Sequence, residues 1–191
     1  MPARSDEELV AAILAGDELL YAEIVKRYQG RLVNYLFRLL RNMDDAHDLG
    51  QEVFLKVYQA LDRFDPKYKF STWLFRVGQN AAIDKIRKRR LKLVSMHRPG
   101  DDSGGARDWE FASHDPSPYG DLRNLERGKA IRQMIADLPA EYRELIELRH
   151  FGDLSYDEIA ELKQMPLGTV KNKLFRGRQM LKQKLADYVG D

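Results

Sequence analysis

Residues 166–181 read PLGTVKNKLFRGRQML. Cations and apolar residues interleave there, and no Asp or Glu occurs anywhere in 164–186. On a helical wheel at about 100° per residue, Leu167, Val170, Leu174, Gly177, Leu181 and Leu185 share one stripe. The far side carries Thr169, Asn172, Lys173, Arg176 and Gln179, flanked by Lys171 and Phe175. These side chains suit a duplex groove. Lys and Arg donate to guanine acceptors, Asn pairs bidentately with adenine, and an aromatic ring meets a thymine methyl. A basic helix packed in a bundle with a solvated outer side would show the same wheel, so this helix alone leaves both readings open.

A second cluster lies over 64–92. Phe75, Ala82, Ile86 and Leu93 form a stripe that can pack, while Trp73, Arg76, Val77, Asn80, Asp84, Arg87 and Lys88 face the other way. The preceding stretch FDPKYKFS adds Phe64, Tyr68, Lys69, Phe70 and Ser71. Aromatic rings with cations and an amide suit unpaired bases, which stack for about 1–3 kcal/mol each. That is comparable to the few kcal/mol needed to flip a base out. The competing reading makes Trp73 a core residue and 85–92 a cationic helix end favoured by the dipole.

The third cluster is DDAHDLGQE at 44–52, four acids with His47. HD at 47–48 invites comparison with metal phosphohydrolases. The four histidines, His47, His97, His114 and His150, make no ligand spacing, so no metal or catalytic residue is assigned. An acidic helix side that docks a basic partner explains the same residues.

What must position these groups is helical throughout, and alternating strand patterns are nearly absent. SDEELVAAILAGD has Ser5 as N-cap and Gly16 as a stop. Leu20, Ile24, Leu32, Tyr35, Leu36 and Leu39 repeat with helical period, and the next helix starts with Asp44 or Asp45 as cap and continues through Leu49, Val53, Val57 and Leu61. A further helix spans about 71–93. Residues 95–121 are rich in Gly, Pro, Ser and Asp and cannot bury enough apolar area to offset chain entropy; they read as a flexible linker. Four more helices follow. The third opens with SYDE, a capping-box pattern from Ser155 to Glu158, and QMPLG then separates it from the basic helix as in a helix-turn-helix.

The expected fold is therefore all-α, with domains at 1–94 and 122–191 joined by the linker 95–121. Net charge is only +2, but its distribution points to binding. Residues 67–92 carry nine Lys/Arg against Asp84, residues 163–184 carry seven cations and no acid, and 99–121 carry six acids against Arg107. There is no cysteine, which excludes a disulfide scaffold, thiolate zinc and a cysteine nucleophile. The start MPARSDEEL lacks the apolar core of a signal peptide, and no run approaches the roughly 20 apolar residues that span a bilayer. The expectation is a soluble protein of the cytoplasm.

Two long stretches resemble a known family. DDAHDLGQEVFLKVYQALDRFDPKYKFSTWLFRVGQNAAIDKIRKRR is similar to the second conserved region of bacterial sigma factors, and LPAEYRELIELRHFGDLSYDEIAELKQMPLGTVKNKLFRGRQMLKQKL to the fourth. The two-domain length is that of the extracytoplasmic-function (ECF) group of the sigma-70 family. The resemblance implies a sigma-2-type bundle and a sigma-4-type helix-turn-helix, and a specificity subunit of RNA polymerase with no enzymatic activity and no cofactor. It implies docking of Asp48, Gln51, Glu52, Phe54 and Tyr58 on the clamp helices of the polymerase largest subunit, with the flap as a further contact. It assigns Phe64, Lys69, Phe70, Ser71, Trp73, Arg76, Asn80, Asp84, Arg87 and Lys88 to melting and reading the promoter −10 element. Thr169, Lys171, Asn172, Lys173, Phe175 and Arg176 become the −35 readers, and the acidic linker would thread toward the RNA exit path. Gly50 and Gly78 depart from the commonest form, each at a helix-propensity cost of about 1 kcal/mol relative to Ala. The chain ends at Asp191 without a self-regulatory extension, so a separate anti-sigma factor, soluble or membrane-bound, is expected to control it in response to stress. Two other readings are kept beside this one. One is a stand-alone DNA-binding regulator with a helical sensing domain; the other is a helical metal-dependent hydrolase, for which no second ligand cluster exists.

Overall fold

The computed structural model describes residues 4–96 and 128–190, without the side chains of 92–96, 189 and 190. Among the described residues there is no strand. Helices α1 (Asp6–Leu14), α2 (Tyr21–Leu40), α3 (Met43–Gln59) and α4 (Phe70–Met96) precede the gap. Helices α5 (128–136), α6 (Ala140–His150), α7 (Tyr156–Lys163) and α8 (Leu167–Gly190) follow it. From residue 97 on, the expected linker lies outside the described residues, as do 122–127. The chain gathers into two compact units, Met1–Asp101 with Glu147–Leu167, and Asp102–Ile146 with Gly168–Asp191.

The first unit is built on α2, α3 and α4. α1 begins at Ser5, whose hydroxyl accepts from the Glu8 N–H while Glu8 reaches back to the Ser5 N–H at 2.8 Å, a complete capping box. It stops at Ala15, and Gly16 follows with φ +112°, where a side chain would be strained. Asp6 anchors this helix to α2: its carboxylate takes Arg27 at 2.9 Å and the Tyr28 hydroxyl. The cap of α3 is Asn42, whose side chain accepts from the Asp45 N–H at 2.8 Å. Asp44 and Asp45, expected as caps, sit in the first turn instead, where an acid still complements the helix dipole.

Ile24, Leu32, Tyr35 and Leu36 on α2 meet Leu49, Val53 and Val57 on α3 and Phe70, Leu74, Phe75 and Ala82 on α4 as a buried core. Of the stripe expected on α4, two of the three described side chains are buried. Phe75 and Ala82 are fully buried, but Ile86 is 42% exposed, covered only in part by Leu39 and Leu40 at the end of α2; the Leu93 side chain lies outside the described residues. Gly78 explains how α2 and α4 come so close: a Cβ at that position would stand 2.9 Å from Leu32 Cδ1.

Residues 147–167 belong to this first unit through specific polar contacts. Arg31 donates from Nε to the Gly152 carbonyl at 3.0 Å and from a terminal nitrogen to the Asp153 carbonyl at 2.8 Å. Gly152 packs on Phe75, and a Cβ there would meet Phe75 Cε1 at 2.9 Å and the Leu148 carbonyl oxygen at 2.8 Å. α7 opens with the capping box expected from SYDE, Ser155 Oγ accepting from the Glu158 N–H at 3.2 Å and Glu158 from the Ser155 N–H at 2.6 Å. It closes at Gln164 in the left-handed region, φ 51°, and α8 starts after Pro166.

In the second unit, α8 packs on the first part of α6. Gly177 lies against Tyr142 Cβ and Ile146 Cγ1, each 3.3 Å from where its own Cβ would stand, so a small residue sets the spacing. Lys184 reaches Asp137 at 3.8 Å.

Candidate nucleic-acid interface

On α3, Asp48, Gln51 and Glu52 are exposed on one side. Leu55, one turn further along, is 58% exposed beside them. Phe54 points inward instead, 7% exposed, and its carbonyl accepts the Tyr21 hydroxyl at 2.6 Å. Tyr58 is half-buried and packs against Tyr21 with ring centroids 4.8 Å apart and the rings tilted by 57°. Burial, and then the neighbouring Tyr58, push the Tyr21 phenol well above its ordinary range. The exposed side is thus acidic and amide-bearing with an aliphatic centre.

The aromatic residues near the start of α4 form one cluster. Phe64 lies 5.6 Å from Phe70 and 5.4 Å from Trp73, and Phe70 lies 5.9 Å from Trp73, ring centre to ring centre. Phe64 and Phe70 are buried, and Trp73 is half-buried against them. Ser71 is also buried, and its hydroxyl donates to Glu158 of α7. Burial alone would raise the Glu158 carboxyl. The Ser71 hydroxyl, the Ser155 N–H and hydroxyl and the Arg31 charge outweigh it and hold the group below the usual carboxylate range. A recess of about 30 Å³ beside Trp73 is lined by Phe64, Asp65, Tyr68, Thr72, Arg76 and Glu161. The Thr72 hydroxyl and one Glu161 carboxyl oxygen are buried without a hydrogen-bond partner.

Further along α4, Asn80, Asp84, Arg87 and Lys88 are all exposed, and Lys69 is exposed just before the helix. Arg87 and Asp84 form only a loose pair at 3.8 Å. Asp45 of α3 takes Lys85 at 2.8 Å and Arg89 at 3.2 Å, so those two cations brace the helix against α3. Of the residues expected to meet −10 DNA, Lys69, Trp73, Arg76, Asn80, Asp84, Arg87 and Lys88 reach the surface in whole or part. Phe64, Phe70 and Ser71 lie beneath it.

On α8, Val170 and Leu174 are fully buried and Gly177 is buried with them. Lys171, Asn172 and Arg176 are exposed on the other side, and Phe175 is 62% exposed. Leu185, expected in the packing stripe, is 39% exposed near the helix end. A groove of about 460 Å³ is lined by Gly168, Thr169, Asn172, Lys173, Arg176, Glu141 and Tyr142. Glu141 Oε2 accepts from the Lys173 ammonium there. That hydrogen bond first, and then the Lys173 and Arg176 charges, hold the Glu141 carboxyl below its ordinary range.

An exposed, cation-rich side of α8 and an aromatic-cationic face on α4 are two features expected of one family, and comparison with known proteins decides the matter. Sigma-70 region 2 matches residues 24–92 and sigma-70 region 4 matches residues 128–181. The chain is 34% identical over 178 residues to the ECF RNA polymerase sigma factor SigW of Bacillus subtilis, covering 93% of this chain and 95% of that one. It is 32% identical over 186 residues to the ECF RNA polymerase sigma-E factor of Escherichia coli K12, covering 95% and 94%. The chain belongs to the ECF sigma factors. Among solved structures, that of CnrH in complex with the cytosolic domain of CnrY matches the fold with a TM-score of 0.67 at 23% identity, over 96% of this chain and 99% of that one. The sigma factor RpoE in complex with the anti-sigma factor NepR, from Bartonella quintana, matches with 0.62 at 26% identity, over 86% and 96%.

As an ECF sigma factor the chain serves transcription initiation and is a non-catalytic subunit of RNA polymerase. Among the described residues no helix is long and apolar enough to cross a membrane. Sequence reasoning missed two residues in the sigma factor's exposed faces. Leu55 follows Asp48, Gln51 and Glu52 at i+7, i+4 and i+3, and an aliphatic residue on an otherwise acidic side was the available signal. Glu141 had no such signal, because it lies far from α8 in sequence.

Proposed function

We propose that this sigma factor reads a promoter with two separate surfaces and meets polymerase with a third. The exposed side of α3, with Asp48, Gln51, Glu52 and Leu55, docks on the clamp helices, and Tyr58 borders it. Phe54 supports that surface from inside. The cationic side of α4 takes the −10 strand: Trp73 offers a ring edge for stacking, Asn80 and Arg76 offer donors, and Lys69, Arg87 and Lys88 meet phosphates. Phe64 and Phe70 hold Trp73 in place, and Ser71 holds the start of the helix. Asp84 lies beside Arg87 on the same exposed side. α8 enters the −35 major groove with Thr169, Lys171, Asn172, Lys173, Phe175 and Arg176.

The observation that carries this reading is the division on α8. Val170, Leu174 and Gly177 are buried, while Lys171, Asn172, Phe175 and Arg176 are all exposed. A solvated packing helix could expose the amide and the cations, but the 62% exposed Phe175 ring set among them, with no acid on α8 before Asp187, fits a duplex groove better. Each DNA contact alone is weak, and two modules on one polymerase make the second contact intramolecular, so affinity rises by avidity. Regulation by an anti-sigma factor is part of the proposal, supported by the NepR complex of a 26% identical chain.

Reconstitution with core polymerase tests it. Full-length protein should co-purify with core and direct run-off transcription from a promoter recovered by selection. Arg176→Ala should cost about 1–3 kcal/mol of discrimination at one −35 base pair, as loss of a bidentate contact does. Trp73→Ala should spare −35 dependence and slow strand opening. Unchanged −35 dependence in Arg176→Ala combined with Lys171→Ala would sink the assignment of this face. Tight duplex binding without polymerase would favour the stand-alone regulator.

A further inference from the structure

Between Lys163 and Lys184 the chain has no acid, yet the structure sets a carboxylate into the groove beside the reading helix. That carboxylate is Glu141, brought in from the first turn of α6. Its partner is Lys173, whose side chain is 24% exposed against 53% for Glu141. An ion pair this exposed contributes little to folding, because water screens it and two side chains lose freedom. A negative charge at a surface built for a polyanion also opposes binding. An acid in the first turn of α6 complements the helix dipole, but that does not account for its pairing with Lys173 in the groove.

Its effect on Lys173 does account for it. A free lysine on a reading helix extends to the nearest phosphate, which every sequence offers alike. With its ammonium held by Glu141, Lys173 stays inside the groove that Thr169, Asn172 and Arg176 also line. There its remaining donors face base edges, where acceptors differ between base pairs. The carboxylate adds a second filter, since it repels phosphate that slides into the groove in a wrong register.

We infer that Glu141 is a positioning residue that sets the sequence discrimination of the −35 reader, restraining Lys173 from non-specific phosphate contact. The inference rests on α8 being the −35 reader, as proposed above. It concerns discrimination, so its signature is a ratio of affinities and not an affinity.

The experiment uses full-length protein assembled with core polymerase. Binding to a duplex carrying the −35 element recovered from a randomised pool is compared with binding to a scrambled duplex, across a salt series. Glu141→Gln releases Lys173 to phosphate. Scrambled-duplex binding should tighten and its log–log salt slope should steepen by about 0.9, one more neutralised phosphate. At about 0.1 M salt that slope corresponds to roughly eightfold tighter scrambled binding, with discrimination falling by about the same factor. Glu141→Asp, which keeps the charge, should restore part of the discrimination. In a Lys173→Met background, Glu141→Gln should no longer change the slope. A slope and a discrimination ratio unchanged in Glu141→Gln would overturn the inference while leaving α8 as reader. A parent protein that itself fails to discriminate the two duplexes would overturn the reading of α8, and the inference with it.

Discussion

Replacing Gly78 by Ala asks which of two opposed effects governs α4. Helix propensity favours alanine by about 1 kcal/mol in a helix interior. Packing opposes it. The new methyl would stand 2.9 Å from Leu32 Cδ1 and 3.8 Å from Leu36 Cδ2, and both leucines are fully buried. Leu32 Cδ1 must move aside, so the methyl forces an off-rotamer leucine or a shift between α2 and α4. Overpacking of this kind costs about 1–3 kcal/mol. The balance is destabilisation by up to about 2 kcal/mol. At a urea dependence of about 2 kcal/mol per molar, the midpoint should fall by up to about 1 M. The transition of α2–α4 can be followed by the fluorescence of Trp73 in a Trp109→Phe background of the full chain. Pairing with Leu32→Ala, which removes the clashing methyl, should make Gly78→Ala neutral or favourable, a coupling of about 1–3 kcal/mol. A single Gly78→Ala variant with a midpoint raised by the full propensity gain would show that the helices do not pack as closely as described, and the reasoning would fail.

Other consequences are accessible to simple measurements. Ser155→Ala removes the cap of α7 and should cost about 1 kcal/mol, read as faster hydrogen exchange across α7. Because the Glu158 carboxyl is held below its ordinary range, its contribution to the same helix is present above about pH 4.3 and disappears as pH falls through the lowered value; exchange in α7 that does not accelerate between pH 6 and pH 3, relative to α2, would contradict this. Phe175→Ala should leave thermal stability within about 0.5 kcal/mol, since the ring is exposed. It should nonetheless lower −35-dependent transcription roughly fivefold, about 1 kcal/mol of lost apolar contact. Leu55→Ala should weaken binding to core polymerase by about 1–2 kcal/mol without moving the melting temperature, measured by competition with a labelled parent protein.

Much of this molecule could be read from its residues because periodicity and caps are local. Ser155 and Glu158 announced their capping box, and Val170, Leu174 and Gly177 announced the buried side of α8. What escaped depends on residues distant in sequence. Ser71 looked like a polar surface residue in a basic stretch, and only the approach of Glu158, 87 positions away, makes it an interior donor. Phe64 and Phe70 looked available for stacking until Tyr28 and Trp73 closed around them. Ile86 was expected inside because the wheel continues, but Leu39 and Leu40 at the end of α2 cover it only in part. The capping of α3 was misplaced by two to three residues for a related reason, since Asn42, Asp44 and Asp45 are all good caps and the choice follows from how Arg41 turns the chain with φ 57°.

Asp45 carries a mechanical consequence. It sits in the first turn of α3 and grips Lys85 and Arg89 of α4 with its two carboxylate oxygens. The helix proposed to seat on polymerase and the helix proposed to hold the opened strand are therefore tied together beyond their shared buried contacts. Seating the first aims the second. The tie stands at the partly exposed edge of the bundle, so it acts as an outrigger: losing it would leave the bundle folded and loosen the far half of α4, blurring the position of Arg87 and Lys88 while every contact residue remained in place.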